Sequence, residues 1–113
     1  MSNNYLGEIR IFSWKGQPQG WVPCDGALLN VREYQALYSL LGNRFGGDGI
    51  RTFALPDLRG RTIVGDRLSR GRSNDVHMSS PKETAGQTLG NMPPRLVMQH
   101  CIAMRGDYPP KAD

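Results

Sequence analysis

The cysteines and histidines have the widest range of chemistry in this 113-residue sequence, and their spacing fits neither a metal site nor a nucleophile. Cys24 and Cys101 form no CxxC pair, and His77 and His100 belong to no short ligand motif. No histidine pattern marks Cys24 as a nucleophile, and the serines lack a GxSxG context. We therefore predict no catalytic residue, no metal and no cofactor.

Three aspartates, Asp25, Asp48 and Asp57, could in principle serve as an acid and a base. Each adjoins a glycine or a proline, and in such turns a carboxylate accepts hydrogen bonds from nearby backbone N–H groups. The glycine-rich stretch 43–49 around Asp48 matches neither the GxxxxGK[ST] phosphate loop nor the alternating oxygen ligands of a calcium loop. The residues therefore predict that the chain is not an enzyme.

The positive charge suggests a second class of function, nucleic-acid binding. The formal net charge is +4, and the excess is concentrated in one segment that contains Arg59, Arg61, Arg67, Arg70 and Arg72. Arginines can bind phosphates in a salt-dependent way. However, no aromatic residues alternate with them, as stacking on single strands requires. We interpret the arginines as a subunit contact or a solvated loop, and nucleic acid as the weaker alternative.

Length and composition predict one small domain, because 113 residues with 38% hydrophobic content cannot form two separate cores. No apolar run approaches the roughly 20 residues of a membrane span, and the N-terminus lacks the apolar segment of a signal peptide. Cys24 and Cys101 could form a long-range disulfide or remain two buried thiols. Both interpretations stay open.

One amphipathic helix is the clearest local prediction. Asn30 has an N-cap residue type, and Glu33 three residues later matches a capping box. Apolar residues at spacings of three and four run from Val31 to Leu41, and Gly42 is placed for the left-handed position after the helix. The pattern predicts a helix over 31–41.

Short strands and long glycine-rich loops should surround that helix. We predict extended segments over 5–14, 52–55, 59–65 and 96–104, a tight turn at 24–26 and a proline turn at 55–58. The last strand would pair within its own chain or with a neighbour. The expected fold class is α+β, with mostly antiparallel strands in a single domain, 1–113. It would comprise a core stretch 7–65, a polar loop 69–89 and a C-terminal strand and tail 90–113. The predicted core residues are Trp21, Cys24, Asp25, Gly26, Tyr34, Leu37, Leu41, Phe53, Pro56 and Asp57.

Several of these segments also resemble a known family. They are GEIR at 7–10, GW at 20–21 followed by CDG at 24–26, YSLLG at 38–42, FGGDG at 45–49 and TFALPDLRGR at 52–61. In this order they resemble the phage tail collar domain family, and more closely the small bacterial microcystin-dependent proteins that carry that domain. Some longer relatives bind metal through an H-x-H pair inside a trimer. The segment 69–89 has no such pair, so the resemblance implies no metal here.

The resemblance implies a structural protein of a phage-tail-like fibre or an extracellular filament. Such a protein would be extracellular or virion-associated and would act by homo-oligomeric assembly. Its partners would be further copies, other tail or fibre proteins and host-surface glycans, and it would bind no membrane. The candidate contact residues are the arginines at 59, 61, 67, 70 and 72, with Leu96, Val97, Met98, Ile102 and Met104. The alternative is a carbohydrate-binding or adhesion module, in which Tyr5, Trp14 and Trp21 would stack on sugars.

Overall fold

The computed structural model of the protein describes residues 3–65 and 94–110 as an α+β fold of one helix and short, mainly antiparallel strands. The strands are β1 (Ile9–Phe12), β2 (Trp21–Pro23), β3 (Leu28–Asn30), β4 (Thr52–Ala54) and β5 (Gln99–Ala103), and the helix α1 spans Gln35–Leu41. That helix is not long and apolar enough to cross a membrane. The predicted loop 69–89 and the arginines at 67, 70 and 72 lie outside the described residues.

The last strand is the central one of a three-stranded antiparallel sheet with the order β1-β5-β2. Ile102 of β5 lies opposite Ile9 of β1 and opposite Val22 of β2. Both edges of β5 therefore pair within its own chain. Of the two arrangements that the sequence left open for this strand, the structure has the intrachain one.

The second sheet contains β3 and β4, and its antiparallel pairing extends beyond both strands. Leu28 lies opposite Ala54, and Asp25 bridges to Asp57 in the same register. The N–H of Gly26 donates to the carbonyl of Pro56 at 3.3 Å. The predicted proline turn at 55–58 is therefore wrong, because this segment is extended and paired with 24–27. Pro56 can stand there because its carbonyl, not an N–H, makes the bond.

The chain turns three residues later than predicted. The N–H of Arg61 donates to the carbonyl of Leu58 at 3.1 Å, and Gly60 has a φ of 69°. A positive φ at the third position of such a turn favours glycine. The following residues, 61–65, form no strand, so the predicted strand over 59–65 is also wrong. Ile63 and Val64 are 57% and 77% exposed there.

The two sheets meet at Cys24. Its N–H donates to the carbonyl of His100 in β5 at 3.0 Å, and its carbonyl accepts the N–H of Leu58 at 2.9 Å. The segment 21–30 therefore pairs first with β5 and then with the chain around β4. This single segment joins the two sheets.

The helix begins at Gln35, four residues after the predicted start at Val31. The N–H of Val31 donates to the carbonyl of Arg51 at 2.9 Å, which continues the pairing of β3 with the chain before β4. Residues 31–34 then form a turn, in which the side-chain oxygen of Asn30 accepts the N–H of Arg32 at 2.8 Å. Asn30 thus caps this turn rather than the helix.

The helix ends where the sequence predicts. The N–H of Gly42 donates to the carbonyl of Tyr38 at 2.7 Å, and Gly42 has a φ of 61° and a ψ of −155°. The positive φ is as expected, although the ψ lies outside the left-handed helical region. Leu37 and Leu41 are the buried residues of the helix.

The core lies between α1 and one face of the three-stranded sheet. Its buried members include Leu37 and Leu41 of the helix, Phe53 of β4 and Ile102 of β5. The full buried cluster is Leu6, Cys24, Leu37, Leu41, Phe53, Leu55 and Ile102, with Tyr34 and Met104 packed against it. Pro56 is also buried, and Asp25, Gly26 and Asp57 are half-buried. Trp21 is half-buried outside this cluster.

The first strand is shorter than the predicted 5–14 and starts later because a β-bulge precedes it. The N–H of Gly7 and the carbonyl of Glu8 both bond to Ala103, each at 2.9 Å. Two consecutive residues therefore lie opposite a single residue of β5. Gly7 has a φ of 81°, as the first residue of a glycine-type bulge requires. Beyond it, Ile9 and Ile11 are 37% and 58% exposed, so their side of the strand is largely open to solvent.

Gly47 is the position at which the fold depends most clearly on glycine. A Cβ there would lie 2.5 Å from the Cα of Phe53, and φ is 90°. Gly47→Ala should therefore lower the free energy of unfolding by about 3 kcal/mol. Gly16→Ala is the matched control, because Gly16 has a φ of 83° but open space around the added Cβ. Gly16→Ala should lower the free energy of unfolding by only about 1 kcal/mol, through backbone strain. Urea denaturation measures both, and equal losses would contradict the packing of Gly47 against β4.

Candidate functional site

Asp57 is the centre of a small ionic group beside the junction of the two sheets. Its carboxylate oxygens accept hydrogen bonds from Nε and Nη2 of Arg59 at 2.9 and 3.0 Å. Nη1 of Arg61 donates to the backbone carbonyl of Asp57 at 2.6 Å and lies 3.8 Å from its carboxylate. The hydrogen bonds from Arg59, more than any other contact, hold the pKa of Asp57 down at about 2. Two of the predicted contact arginines are therefore engaged within the chain.

Asp25 and Gly26 form the tight turn that the sequence predicts. The carboxylate of Asp25 accepts the N–H of Ala27 at 3.2 Å, and Gly26 has a φ of 81°. A Cβ on Gly26 would lie 3.3 Å from the Cβ of Asp57. Glycine thus lets the backbone approach Asp57 closely, and the CDG and PDLRGR motifs meet in the same place.

The side chain of Asp48 also bonds to the backbone. One carboxylate oxygen accepts the N–H groups of Ile50, Arg51 and Thr52 at 2.8, 2.8 and 3.0 Å. These bonds, chiefly the one from Thr52, lower the pKa of Asp48 to about 2. The carboxylate closes the glycine-rich loop before β4, as expected for a turn aspartate.

The two cysteines are free and buried. Cys24 belongs to the core cluster with Ile102, whereas Cys101 precedes Ile102 in β5 and therefore faces the other side of the sheet. The interpretation as two buried thiols holds. Burial raises the pKa of the Cys24 thiol to about 12, so it stays protonated and is no nucleophile at neutral pH. Among the described residues, no group of three His, Cys, Asp or Glu side chains could hold a metal ion.

The apolar contact candidates fall into two groups. Ile102 is fully buried and Met104 packs against the core, so both serve the folding of this chain. Leu96, Val97 and Met98 precede β5 without regular structure and are 78%, 89% and 43% exposed. Met98 also lines a groove of about 350 Å³ that includes Arg59, Leu58 and His100. Only the second group presents apolar surface to a partner.

The stretch that contains the junction, the helix and the aspartate turns is also the stretch that a family model recognises. Residues 7–63, half of the chain, match the phage tail collar domain. The chain belongs to this family. No curated protein and no solved structure matches it significantly. The collar match ends near the turn at Gly60 and does not include β5, which supplies the central strand of the first sheet.

The collar domain also carries a row of aromatic side chains on the sheet face opposite the core. The ring centroids of Phe12 and Trp14 are 5.0 Å apart, and those of Phe12 and Trp21 are 5.3 Å apart. The guanidinium of Arg10 lies 5.3 Å from the Trp21 ring centre. Sequence reasoning considered the tryptophans for sugar stacking but missed Phe12 and Arg10. The alternation of Arg10, Phe12 and Trp14 places them on one strand face and was the available signal.

The Asp57 group in the collar domain predicts a defined pH dependence. Because its pKa is lowered on folding, Asp57 stabilises the protein above about pH 4, and this contribution disappears as the pH falls towards about 2. Asp57→Asn should therefore flatten the decline of unfolding free energy over that window, measured by chemical denaturation at several pH values. Arg59→Gln should reproduce part of the flattening.

A double-substitution comparison provides the control for this prediction. The effects of Asp57→Asn and Arg59→Gln should not add, since the two side chains share one contact. Those of Asp48→Asn and Arg59→Gln should add, since Asp48 bonds to other groups. An unchanged pH profile in Asp57→Asn would contradict the assigned ion pair.

Proposed function

We propose that this collar domain is a non-enzymatic structural protein of a phage-tail-like fibre or an extracellular filament, and that it acts by homo-oligomeric assembly. The observation that carries the proposal is the apolar run of Leu96, Val97 and Met98, which lies exposed immediately before the central strand of the first sheet. Collar membership supplies the setting, a virion tail or a structure derived from one. The partners are further copies and other tail or fibre proteins.

The exposed run has the properties of an assembly contact. Single exposed apolar residues are ordinary on a protein surface, but adjacent ones form a patch that favours association. Leu96 and Val97 are each more than three-quarters exposed. Because β5 is paired on both edges, the residues that lead into it start from a fixed position on the folded body. A pre-positioned apolar segment loses less conformational entropy on binding than a free one.

The described residues also favour a structural role over catalysis. The carboxylates of Asp25, Asp48 and Asp57 all bond to backbone N–H groups or to arginine. The thiol of Cys24 is buried and protonated. These three carboxylates and this thiol thus have structural tasks.

A second candidate function is attachment to a host surface through glycans. The observation that favours it is the aromatic row of Phe12, Trp14 and Trp21, which lies outside the core cluster. Assembly and attachment are compatible in a fibre protein, because repeated copies multiply weak surface contacts.

Assembly is tested by light scattering and negative-stain electron microscopy across a range of protein concentrations. We expect a defined oligomer or fibres from the wild type. Leu96→Asp and Val97→Asp should weaken assembly at least about tenfold, since each places a charge in an apolar contact. Ile50→Asp is the matched control, because Ile50 is 80% exposed but lines a different groove. It should assemble as the wild type does.

Two results would contradict the proposed contact. A wild type that remains monomeric at high concentration would remove the assembly function itself. Weakened assembly of the double variant Arg70→Ala with Arg72→Ala, together with intact assembly of Val97→Asp, would assign the contact to the arginines. Circular dichroism spectra of all variants ensure that only folded proteins are compared.

A further inference from the structure

The aromatic row covers the sheet face opposite the core cluster, but part of it remains exposed to solvent. Trp14 is 54% exposed, and none of Phe12, Trp14 and Trp21 belongs to the core cluster or packs against it. Both tryptophans of the 113-residue chain are in this row. A domain this small normally places its largest apolar side chains where they stabilise the fold. Burial of Phe12 meets that expectation, whereas the indole of Trp14 lies more than half exposed.

The rings of the row are ordered by edge-to-face packing. Phe12 is only 9% exposed because it is held edge-on between the two tryptophan rings, with interplanar angles of 63° and 82°. The small residues Cys101 and Ala103 of β5 face the same side as Phe12 and Trp21, and both are fully buried. The rings therefore rest on the strands rather than projecting as mobile side chains. Rigid aromatic surfaces lose little entropy when a ligand stacks on them.

Polar groups suited to hydroxyl recognition border the rings. Gln99 is the cross-strand partner of Phe12, and its amide nitrogen lies 3.4 Å from the amide oxygen of Gln17. Arg10 places its guanidinium over Trp21, while its Nε is paired with the carboxylate of Glu8 at 2.6 Å. The ion pair balances the charge of the arginine. The surface is therefore aromatic and rich in hydrogen-bonding groups, and the charge of Arg10 is paired.

We propose that the row of Trp14, Phe12 and Trp21 is a binding site for a neutral saccharide of a surface glycan. The C–H face of a sugar ring carries partial positive charge and stacks on the electron-rich face of an indole. The amides of Gln17 and Gln99 and the guanidinium of Arg10 hydrogen-bond the sugar hydroxyls around that contact. Trp14, with the most exposed ring, is the main stacking residue. The inference deepens the attachment role and rests on that part of the proposed function.

Charge distinguishes this site from one for nucleic acid. A single strand would also stack on aromatic rings, but it requires cations along its phosphate backbone. At this site Arg10 is already paired with Glu8, and affinity for a neutral sugar should not depend on salt. The pairing of Arg10 with Glu8 therefore favours a neutral glycan over a polyanion.

Intrinsic fluorescence tests the site directly, because both tryptophans lie in it. The full chain is titrated with a panel of neutral oligosaccharides of glucose, galactose, mannose and N-acetylglucosamine, at low and at high salt. We expect a saturable change in tryptophan emission with at least one member of the panel, unaffected by salt. Light scattering on the same samples reports assembly, so a loss of sugar binding is separated from a loss of the oligomer.

Variants then assign the contact. Trp14→Ala should weaken binding about tenfold or more, and Trp14→Phe should restore part of it. Arg10→Gln should weaken it about threefold. Tyr108→Ala is the matched control, because Tyr108 is 55% exposed and bonds to Ser39 rather than to the row. It should bind as the wild type does.

Three outcomes would overturn the proposal. The first is no emission change with any sugar while the protein is folded and assembled. The second is sugar binding that Trp14→Ala leaves intact. The third is binding at the row by a single-stranded oligonucleotide or a proline-rich peptide, tested in the same assay, in the absence of sugar binding. None of these results decides the assembly proposal, which is tested separately by light scattering.

Discussion

The two backbone hydrogen bonds of Cys24 join the two sheets of this protein. In a regular antiparallel strand, the N–H and the carbonyl of one residue point to the same neighbouring strand. At Cys24 they point to different ones, the N–H to His100 and the carbonyl to Leu58. The chain therefore leaves one sheet and enters the other at this residue, as strands do at the corners of packed sheets. Buried backbone groups need such partners, so the N–H and the carbonyl of Cys24 are both satisfied only when both sheets are in place.

The motif residues around Cys24 make this change of sheet possible. Gly26 lets the backbone pass close to Asp57, and Asp25 fixes the turn through its bond to Ala27. Asp57 in turn holds Arg59 and, through its carbonyl, Arg61. A carboxylate that is buried only in part but bonded on several sides organises a loop without providing reactivity. The aspartates that attract attention in the sequence thus position the backbone.

Sequence reasoning succeeded where the cause was local. The tight turn at Asp25 and Gly26 and the end of the helix at Gly42 each follow from one residue and its neighbours. It failed where a distant partner decided the outcome. Val31 has the spacing of a helical residue, yet its N–H is bound to Arg51, so the helix starts later. Pro56 has the residue type of a turn, yet it pairs with the chain around Gly26.

Partners distant in sequence also decided the positions of the candidate site residues. Ile102 looked available for contacts, but its position between Ile9 and Val22 buries it, and neither neighbour is close in sequence. Trp21 seemed suited to the core by its size, but the register of β2 on β5 turns it to the opposite face, beside Phe12. The sequence shows which residues are apolar, but the register of strand pairing decides on which face of the sheet each one lies.

β5 completes the sheet of its own chain, so the proposed assembly is left to the surface around it. This arrangement can be tested by hydrogen exchange of single amides, followed by NMR while the protein is diluted through the concentration at which the proposed oligomer separates. The amides of Cys24 and Ala103, which donate to His100 and Glu8 across the sheet, should stay equally protected throughout. Protection that vanishes as the copies separate would show that β5 pairs with a neighbour instead of within its own chain.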